Sequence, residues 1–360
     1  MHKEQINDKE AISLISLFIM GSTLIIGVSS QAYNDAWLVG IAGILFSIPV
    51  FFIYSRIVSL FPGKDLFEIL CFSFGKYIGK TVSLIYIWYV FHLGALVMRN
   101  FGEYVNTLTM PETPMIVMLL FLGAICIAAV RLGIEVMGRM CAYLIPVVLA
   151  IIAIVVVLGI PGYDFSSIKP ILISGVTTVL KDGFIVFSFP FAETVVFLGV
   201  FFSLKTKKSS RKVYFWGLML AGPLIVIWVV RNIATLGELR NLFYFPSHVA
   251  VSHIKVGEFL QRIEVTVAFV FIVTAFVKIS VCLFVACKGI GRVFNLVDYR
   301  SVVIQTGLLM IYFAYFVFDD IMDMLYWATK VYPYYAFPFQ VVFPVIIWII
   351  AEIRKKSITK

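Results

Sequence analysis

The sequence predicts an all-α protein that crosses a membrane ten times, and three observations carry that prediction. Of the 360 residues, 61% are hydrophobic and 14% charged, with a mean hydropathy of +1.01, far from the composition of soluble domains. Apolar runs of about 20 residues, the length that spans a bilayer core of roughly 30 Å, recur along the whole chain without a long polar insertion. The 29 Lys and Arg fall in alternate loops, as an orientation set by positive charge requires.

The apolar runs place spans at about 11–31, 37–60, 81–108, 114–130, 137–158, 183–203, 214–236, 264–286, 301–318 and 334–352. No small-residue cleavage site follows the first run, so it reads as a retained helix and not a signal peptide. With ten spans both termini lie on one side. That side collects most of the basic residues, among them Lys3, Arg131, Arg139, Lys207, Lys208, Arg292, Arg300 and Lys360. The other side receives Lys169, Lys181, Arg240, Lys255, Arg262 and Lys330, and Arg99, Arg231 and Lys278 fall inside spans. The termini are therefore expected in the cytoplasm. The run "KTKKSSRK" at 205–212 is a topology signal beside anionic lipid, not a nucleic-acid site.

Other chemistry is thin. Cys71, Cys126, Cys141, Cys282 and Cys287 lie in or beside apolar spans without a C-x-x-C pair, so they read as packing thiols. His248 and His253, on a long outer loop, lack a third ligand, and no metal is expected. Nucleophile elbow, H-E-x-x-H, P-loop and paired-acid motifs are absent from the sequence, which argues against an enzyme and gives no cofactor a place. The two long outer segments, about 159–182 and 237–263, are each expected to hold a short interfacial helix.

The sixth span is the anomaly. "FSFPFAETVVF" at 187–197 puts Pro190 and Glu193 in mid-membrane. Proline removes a backbone hydrogen bond and clashes with the preceding turn, so the helix must kink or open. Irregular backbone and a central carboxylate are tolerated only inside protein or beside a water-filled cavity. Glu193 is thus paired, protonated or functional: a structural glutamate at a kink, or part of a binding site. The first span has a matching interruption, "MGSTLIIG" at 20–27, with Gly21, Ser22, Thr23 and Gly27. If the ten spans form two sets of five, about 11–158 and 183–352, the sixth corresponds to the first, inserted upside down. Paired interruptions in inverted halves mark the substrate site of secondary transporters. The candidate ligand site is accordingly Gly21, Ser22, Thr23 and Gly27 with Ser188, Phe189, Pro190, Phe191 and Glu193. Phe187, Phe189 and Phe191 flank the break, where they close over a ligand or simply pack.

Further polar residues sit inside spans. Lys278 admits three readings: an ammonium in place of a coupling cation between the first and eighth helices, a counter-ion to another carboxylate, or a side chain that snorkels to the headgroups. Arg99 and Glu103 are i and i+4 on one helix face and near enough to pair, as a structural tie or as a gate. Arg231, near the outer end of the seventh span, is expected to snorkel. His92 reads as a hydrogen-bonded core histidine before a proton relay.

These residues resemble a known family. "NDAWL" (34–38), "FPGKDLFEIL" (61–70), "MRNFGEYV" (98–105), "PETP" (111–114), "PFAETVVFL" (190–198) and "QRIEVTVAFVFIVTAFVKIS" (261–280) run in the order seen in the spore permeases, the B subunits of nutrient germinant receptors. More distantly, they resemble the amino acid/polyamine/organocation transporters. The resemblance implies a ten-helix LeuT-like fold, a 5+5 inverted repeat with broken helices 1 and 6. It also implies sensing of a small germinant, commonly an amino acid, beside A-type and C-type (lipoprotein) subunits in the spore inner membrane. Arg99, Glu103, Glu193 and Lys278 match positions where such proteins often carry polar residues. Many relatives in the superfamily have a Gly-x-Gly in the first helix, whereas Gly21 and Gly27 here are six apart. The expected function is germinant sensing; a proton-coupled amino acid transporter and a passive water or ion pathway are the alternatives.

Overall fold

The structure, a computed structural model, describes residues 4–27, 32–206, 209–254 and 262–358. Lys3, Lys207, Lys208, Lys255, Gln261 and Lys360, used above, lie outside them. Among the described residues nine helices are long and apolar enough to cross a bilayer. The ninth expected span, Val303–Phe316, is helical but shorter, with a 3-10 turn at Tyr299–Val302 in front of it. Its place in the bundle makes ten spans.

The first span runs Asp8–Met20, breaks at Gly21 and Ser22, and resumes as Thr23–Ile26. Its start is fixed by a capping box, in which Asn7 accepts from the Glu10 amide and Glu10 accepts from the Asn7 amide at 2.9 and 2.8 Å. The second span is Ala36–Leu60, followed by a short helix Leu66–Phe74 with its own capping box from Asp65 and Glu68. Then come Lys76–Tyr104, Met115–Leu132 and Ile134–Gly159. The sixth span starts as Val176–Val186, loses helical geometry at Phe189 (φ −130°, ψ 113°) and continues as a 3-10 helix, Ala192–Gly199. Ser209–Leu236 and Glu264–Val293 form the seventh and eighth.

The last span begins at Ile321, well before the expected 334. Its first turns contain Asp323 and Lys330, which make the stretch read as a loop. Asp320 nevertheless caps the helix, accepting from the Met322 and Asp323 amides at 2.7 and 3.0 Å. Wide turns at Trp327–Val331 and Pro338–Val342 accommodate Pro333 and Pro338 without ending it. Of the long outer segments, the second holds the expected short helix, Pro246–Ser252, whereas the first holds the 3-10 turns Ile160–Gly162 and Phe165–Ile168 and, from Val176, the early start of the sixth span in place of a separate short helix.

Packing sorts the spans into centre and periphery. The first, third, sixth and eighth bury 78–83% of their apolar windows inside the protein, and the fourth, fifth and tenth only 28–33%. The outer helices present their remaining apolar surface to lipid. The third and eighth pack against each other, and the first packs against the seventh, fifth and eighth. Both broken helices therefore lie in the middle of the bundle, where freed backbone groups have protein partners.

Candidate functional site

The two breaks are held open by identifiable contacts. Gly21 has φ +28°, a region costly for residues with a Cβ, and a Cβ there would stand 2.8 Å from Lys278 Cδ and 2.9 Å from the Phe18 carbonyl oxygen. Glycine is required on both counts. The Thr274 hydroxyl donates to the freed Gly21 carbonyl at 2.9 Å, and Asn100 Nδ2 donates to Ser22 Oγ at 3.3 Å. Beyond the break, Trp228 Nε1 donates to the Leu24 carbonyl at 2.6 Å.

The sixth-span break is tied to the tenth span. Ser188 Oγ donates to Gln340 Oε1 at 2.9 Å, and Gln340 Nε2 returns a bond to the Ser188 carbonyl at 2.9 Å. The Tyr54 hydroxyl donates to the carbonyls of Ala192, at 3.1 Å, and of Gln340. These partners satisfy the backbone that Pro190 disrupts.

Between the breaks lies a buried ion pair. Lys278 Nζ donates to Glu193 Oε2, and both side chains are fully buried. The other oxygen, Oε1, accepts from the Tyr332 hydroxyl at 2.6 Å, and Tyr332 lies 3.5 Å from the Tyr89 hydroxyl. The ammonium also sits over the rings of Phe189 and Phe18, at 4.7 and 5.2 Å from their centroids. Of the three readings of Lys278, the geometry matches the counter-ion: its ammonium pairs with Glu193, and its side chain also lies against the first-span break. It does not snorkel.

Glu193, but not Lys278, borders a cavity of about 60 Å³ whose walls also include Thr23, Gly27, Phe189, Trp327 and Tyr332. Ligand pockets commonly hold roughly 300–1,000 Å³, so this one is contracted. Ile26, Gly27, Ile185, Leu325 and Thr329 also line a vestibule of about 490 Å³ that carries Arg240, Asp182 and Lys330. The two spaces therefore adjoin along these shared residues. On the opposite side, toward the termini, aromatic rings close the path: Phe18 on Phe197, Phe197 on Phe201 and Phe201 on Tyr214, with centroids 5.0, 5.0 and 5.3 Å apart. Below them Ile6 pairs with the backbone of Ser203 and Lys205, and Glu4 meets Arg300 Nη2 at 2.6 Å. The site thus adjoins the vestibule on one face and is packed behind several layers on the other.

Four of the nine expected ligand residues, Thr23, Gly27, Phe189 and Glu193, line the cavity. Gly21, Ser22, Ser188, Pro190 and Phe191 are behind it and shape the breaks. Arg99 and Glu103 pair, with Arg99 Nε donating to Glu103 Oε1 at 2.8 Å, and Arg99 Nη1 also donates to the Tyr315 carbonyl at 2.7 Å. They tie the third span to the end of the ninth and do not border the cavity. His92 shares a 3.1 Å hydrogen bond with Tyr335 and stacks on Trp88.

Arg231 does not snorkel as expected. It is buried, 3.9 Å over the Trp228 ring, and donates to Asn232 and to the Ser247 carbonyl at 3.2 Å. The helix Pro246–Ser252 covers it, and that cover was invisible in a hydropathy profile. The same helix places His248 Nδ1 at 2.9 Å from the Tyr104 hydroxyl. Burial holds this imidazole below its ordinary pKa, against an opposing attraction to Glu264. Sequence reasoning missed Tyr332, Gln340, Asn100 and Trp327. Gln340, between prolines in "FPFQVVFP", was the one available signal.

Residues 5–320 match the profile of the spore permease family, described as spore germination proteins. The chain belongs to that family. This spore permease is 29% identical to spore germination protein KB of Bacillus subtilis (strain 168), over 99% of this chain and 97% of that protein. It is 24% identical to spore germination protein A2 of the same strain, over 99% and 98%. Among solved structures, it resembles Mhp1, a nucleobase-cation-symport-1 family transporter, in a closed conformation with bromovinylhydantoin bound. The TM-score is 0.68 at 13% identity, over 90% of this chain and 74% of that one. It resembles MhsT in complex with L-phenylalanine equally, with a TM-score of 0.68 at 12% identity, over 98% and 89%. The spore permease thus has the LeuT-like fold with broken first and sixth helices.

Proposed function

We propose that this spore permease is the membrane subunit of a nutrient germinant receptor, and that it binds a small germinant, an amino acid, between the broken first and sixth spans. The observation that carries this reading is the Glu193–Lys278 pair, placed where both helices are interrupted, with Glu193 in the wall of a cavity that adjoins the vestibule. The likeness to spore germination proteins over nearly the full chain supports the receptor role, and the transporter fold supports a ligand held at the breaks.

In this reading the two halves, about 11–158 and 183–352, are inverted repeats in the spore inner membrane. Both termini are cytoplasmic, and the vestibule faces outward. Ligand entry thickens the barrier at Ile26, Ile185 and Leu325, and occupancy shifts the balance between open and closed states. The layers around Glu4, Ile6 and Arg300 transmit that shift to A-type and C-type subunits. The chain catalyses no covalent chemistry.

The test is binding of amino acids to the purified chain, alongside Ala328→Phe, which fills the cavity. Saturable binding abolished by that variant is expected; unchanged binding removes the site. Reconstituted vesicles separate the transporter alternative, because uptake driven by a pH gradient would make the chain a working permease.

A further inference from the structure

The buried stretch of the first span reaches the surface at one residue. From Ala11 to Ile25 every residue is buried except Ile12, which is half-buried. Ile12 and Ser13 belong to a groove of about 470 Å³, whose other apolar residues are Ala142, Ile145, Pro146 and Leu149 of the fifth span and Leu220 of the seventh. The first span packs against both of these helices, so it forms the floor and they form the walls. Beside the groove, Tyr143 and Val147 of the fifth span and Phe215 and Trp216 of the seventh are exposed. That apolar surface faces lipid, and the groove is continuous with it.

The groove has a polar mouth. Lys9 and Lys212 lie in the first turns of the first and seventh spans, and both line it together with Asp8. Lys212 Nζ pairs with Asp8 Oδ2 at 3.1 Å. The Lys9 ammonium has no ion pair or hydrogen bond among the described residues. Other charges near the mouth are engaged elsewhere: Glu10 caps the first span, Glu135 pairs with Arg139, and Arg211 lies over the Phe52 ring. Two ammoniums against one carboxylate leave the mouth with one positive charge in excess. Leu220 is eight residues beyond Lys212, about 12 Å along the helix, and half of a bilayer core is roughly 15 Å. The groove therefore runs from headgroup level toward the midplane, the span of one leaflet's acyl chain.

We propose that this groove is a binding site for one anionic glycerophospholipid, with its phosphate at Lys9 and Lys212 and an acyl chain over Ile12, Ala142 and Leu149. A zwitterionic headgroup brings a cation of its own to the two ammoniums, so phosphatidylglycerol is preferred to phosphatidylcholine. Seated there, the lipid bridges the starts of the first and seventh spans and lies against the half of the broken first helix that carries Lys9 and Ile12. The site is separate from the ligand cavity and does not depend on it.

The experiment is photolabelling of the purified full-length chain in detergent with a phosphatidylglycerol that carries a diazirine in one acyl chain, the adducts being mapped by mass spectrometry. Folding of each variant is followed by thermal unfolding. Adducts are expected on the groove residues of the first, fifth and seventh spans, and unlabelled phosphatidylglycerol should displace them at least about fivefold more effectively than phosphatidylcholine. Lys9→Gln should weaken that displacement about fivefold, the scale for one lysine at an anionic membrane surface. Ala142→Trp, which fills the groove, should abolish the adducts; Leu220→Trp serves the same purpose if the first variant does not fold. Equal displacement by the two lipids overturns the headgroup preference and with it the proposal. Adducts spread evenly over the lipid-facing fourth and tenth spans, or adducts that survive in a folded groove-filling variant, overturn the site. Displacement by glycerol 3-phosphate as effective as that by phosphatidylglycerol would make this a site for a free phosphate and not for a lipid.

Discussion

Lys278→Met gives the sharpest test of the buried pair. The substitution keeps the length and apolar character of the side chain but removes the ammonium, leaving Glu193 with the Tyr332 hydroxyl at 2.6 Å as its one remaining partner. Removing one member of a buried pair costs about 3–5 kcal/mol, because a charge is left uncompensated. At about 2.1 cal/mol/K per residue over 360 residues, 1 kcal/mol corresponds to about 1.3 °C, so the melting temperature should fall by about 4–7 °C. Cys126, Cys141, Cys282 and Cys287 are buried free thiols, so a thiol-reactive dye reports unfolding directly. The double variant Glu193→Leu with Lys278→Met removes both charges and should recover most of the loss, since an apolar replacement of a buried pair is often neutral. A single variant that melts within about 1 °C of native, or a double variant less stable than the single, would refute the account of Glu193 and Lys278 as a compensated ion pair.

Three further outcomes follow from the same geometry. Gly21→Ala forces a Cβ to 2.8 Å from Lys278 Cδ at φ +28°, and a strained residue costs about 1–3 kcal/mol; a fall in melting temperature of about 1–4 °C and weaker ligand binding are expected. Arg99→Ala strands the buried Glu103 and frees the Tyr315 carbonyl, at about 3–5 kcal/mol, whereas Arg99→Lys should be milder; loss of ligand binding in Arg99→Lys without a stability change would make Arg99 a ligand contact instead of a tie. For His248, whose folded pKa lies below its unfolded value of about 6.5, the unfolded or undocked state binds more protons as the pH falls below that value. Docking of Pro246–Ser252 is therefore fully stabilised above about pH 6.5 and weakens below it. Hydrogen exchange of these amides should accelerate from pH 7.5 to pH 5, after correction for intrinsic rates, and His248→Gln should flatten the change.

Legibility in the sequence followed the cost of burying polar groups. Pro190 and Glu193 stood out because lipid tolerates neither, and that same cost fixed the breaks and their central place. Lys278 was visible as a charge but not as a partner, since 85 residues separate it from Glu193. The start of the tenth span was lost because Asp323 and Lys330 resemble loop residues, although a capped helix with wide turns carries them. Trp327 and Tyr332 gave no signal, because aromatic residues are common in membrane helices and only the fold brings them to the cavity.

By itself, the sequence determined the membrane-spanning class, the family and the two interrupted helices, because hydropathy, motif order and helix breakers are local properties of the chain. The tertiary structure alone decided which charges compensate each other, which five expected site residues stand behind the wall, and which residues of the tenth span reach the cavity. Those outcomes depend on side chains brought together from distant spans, whose desolvation cost is set by every neighbour at once.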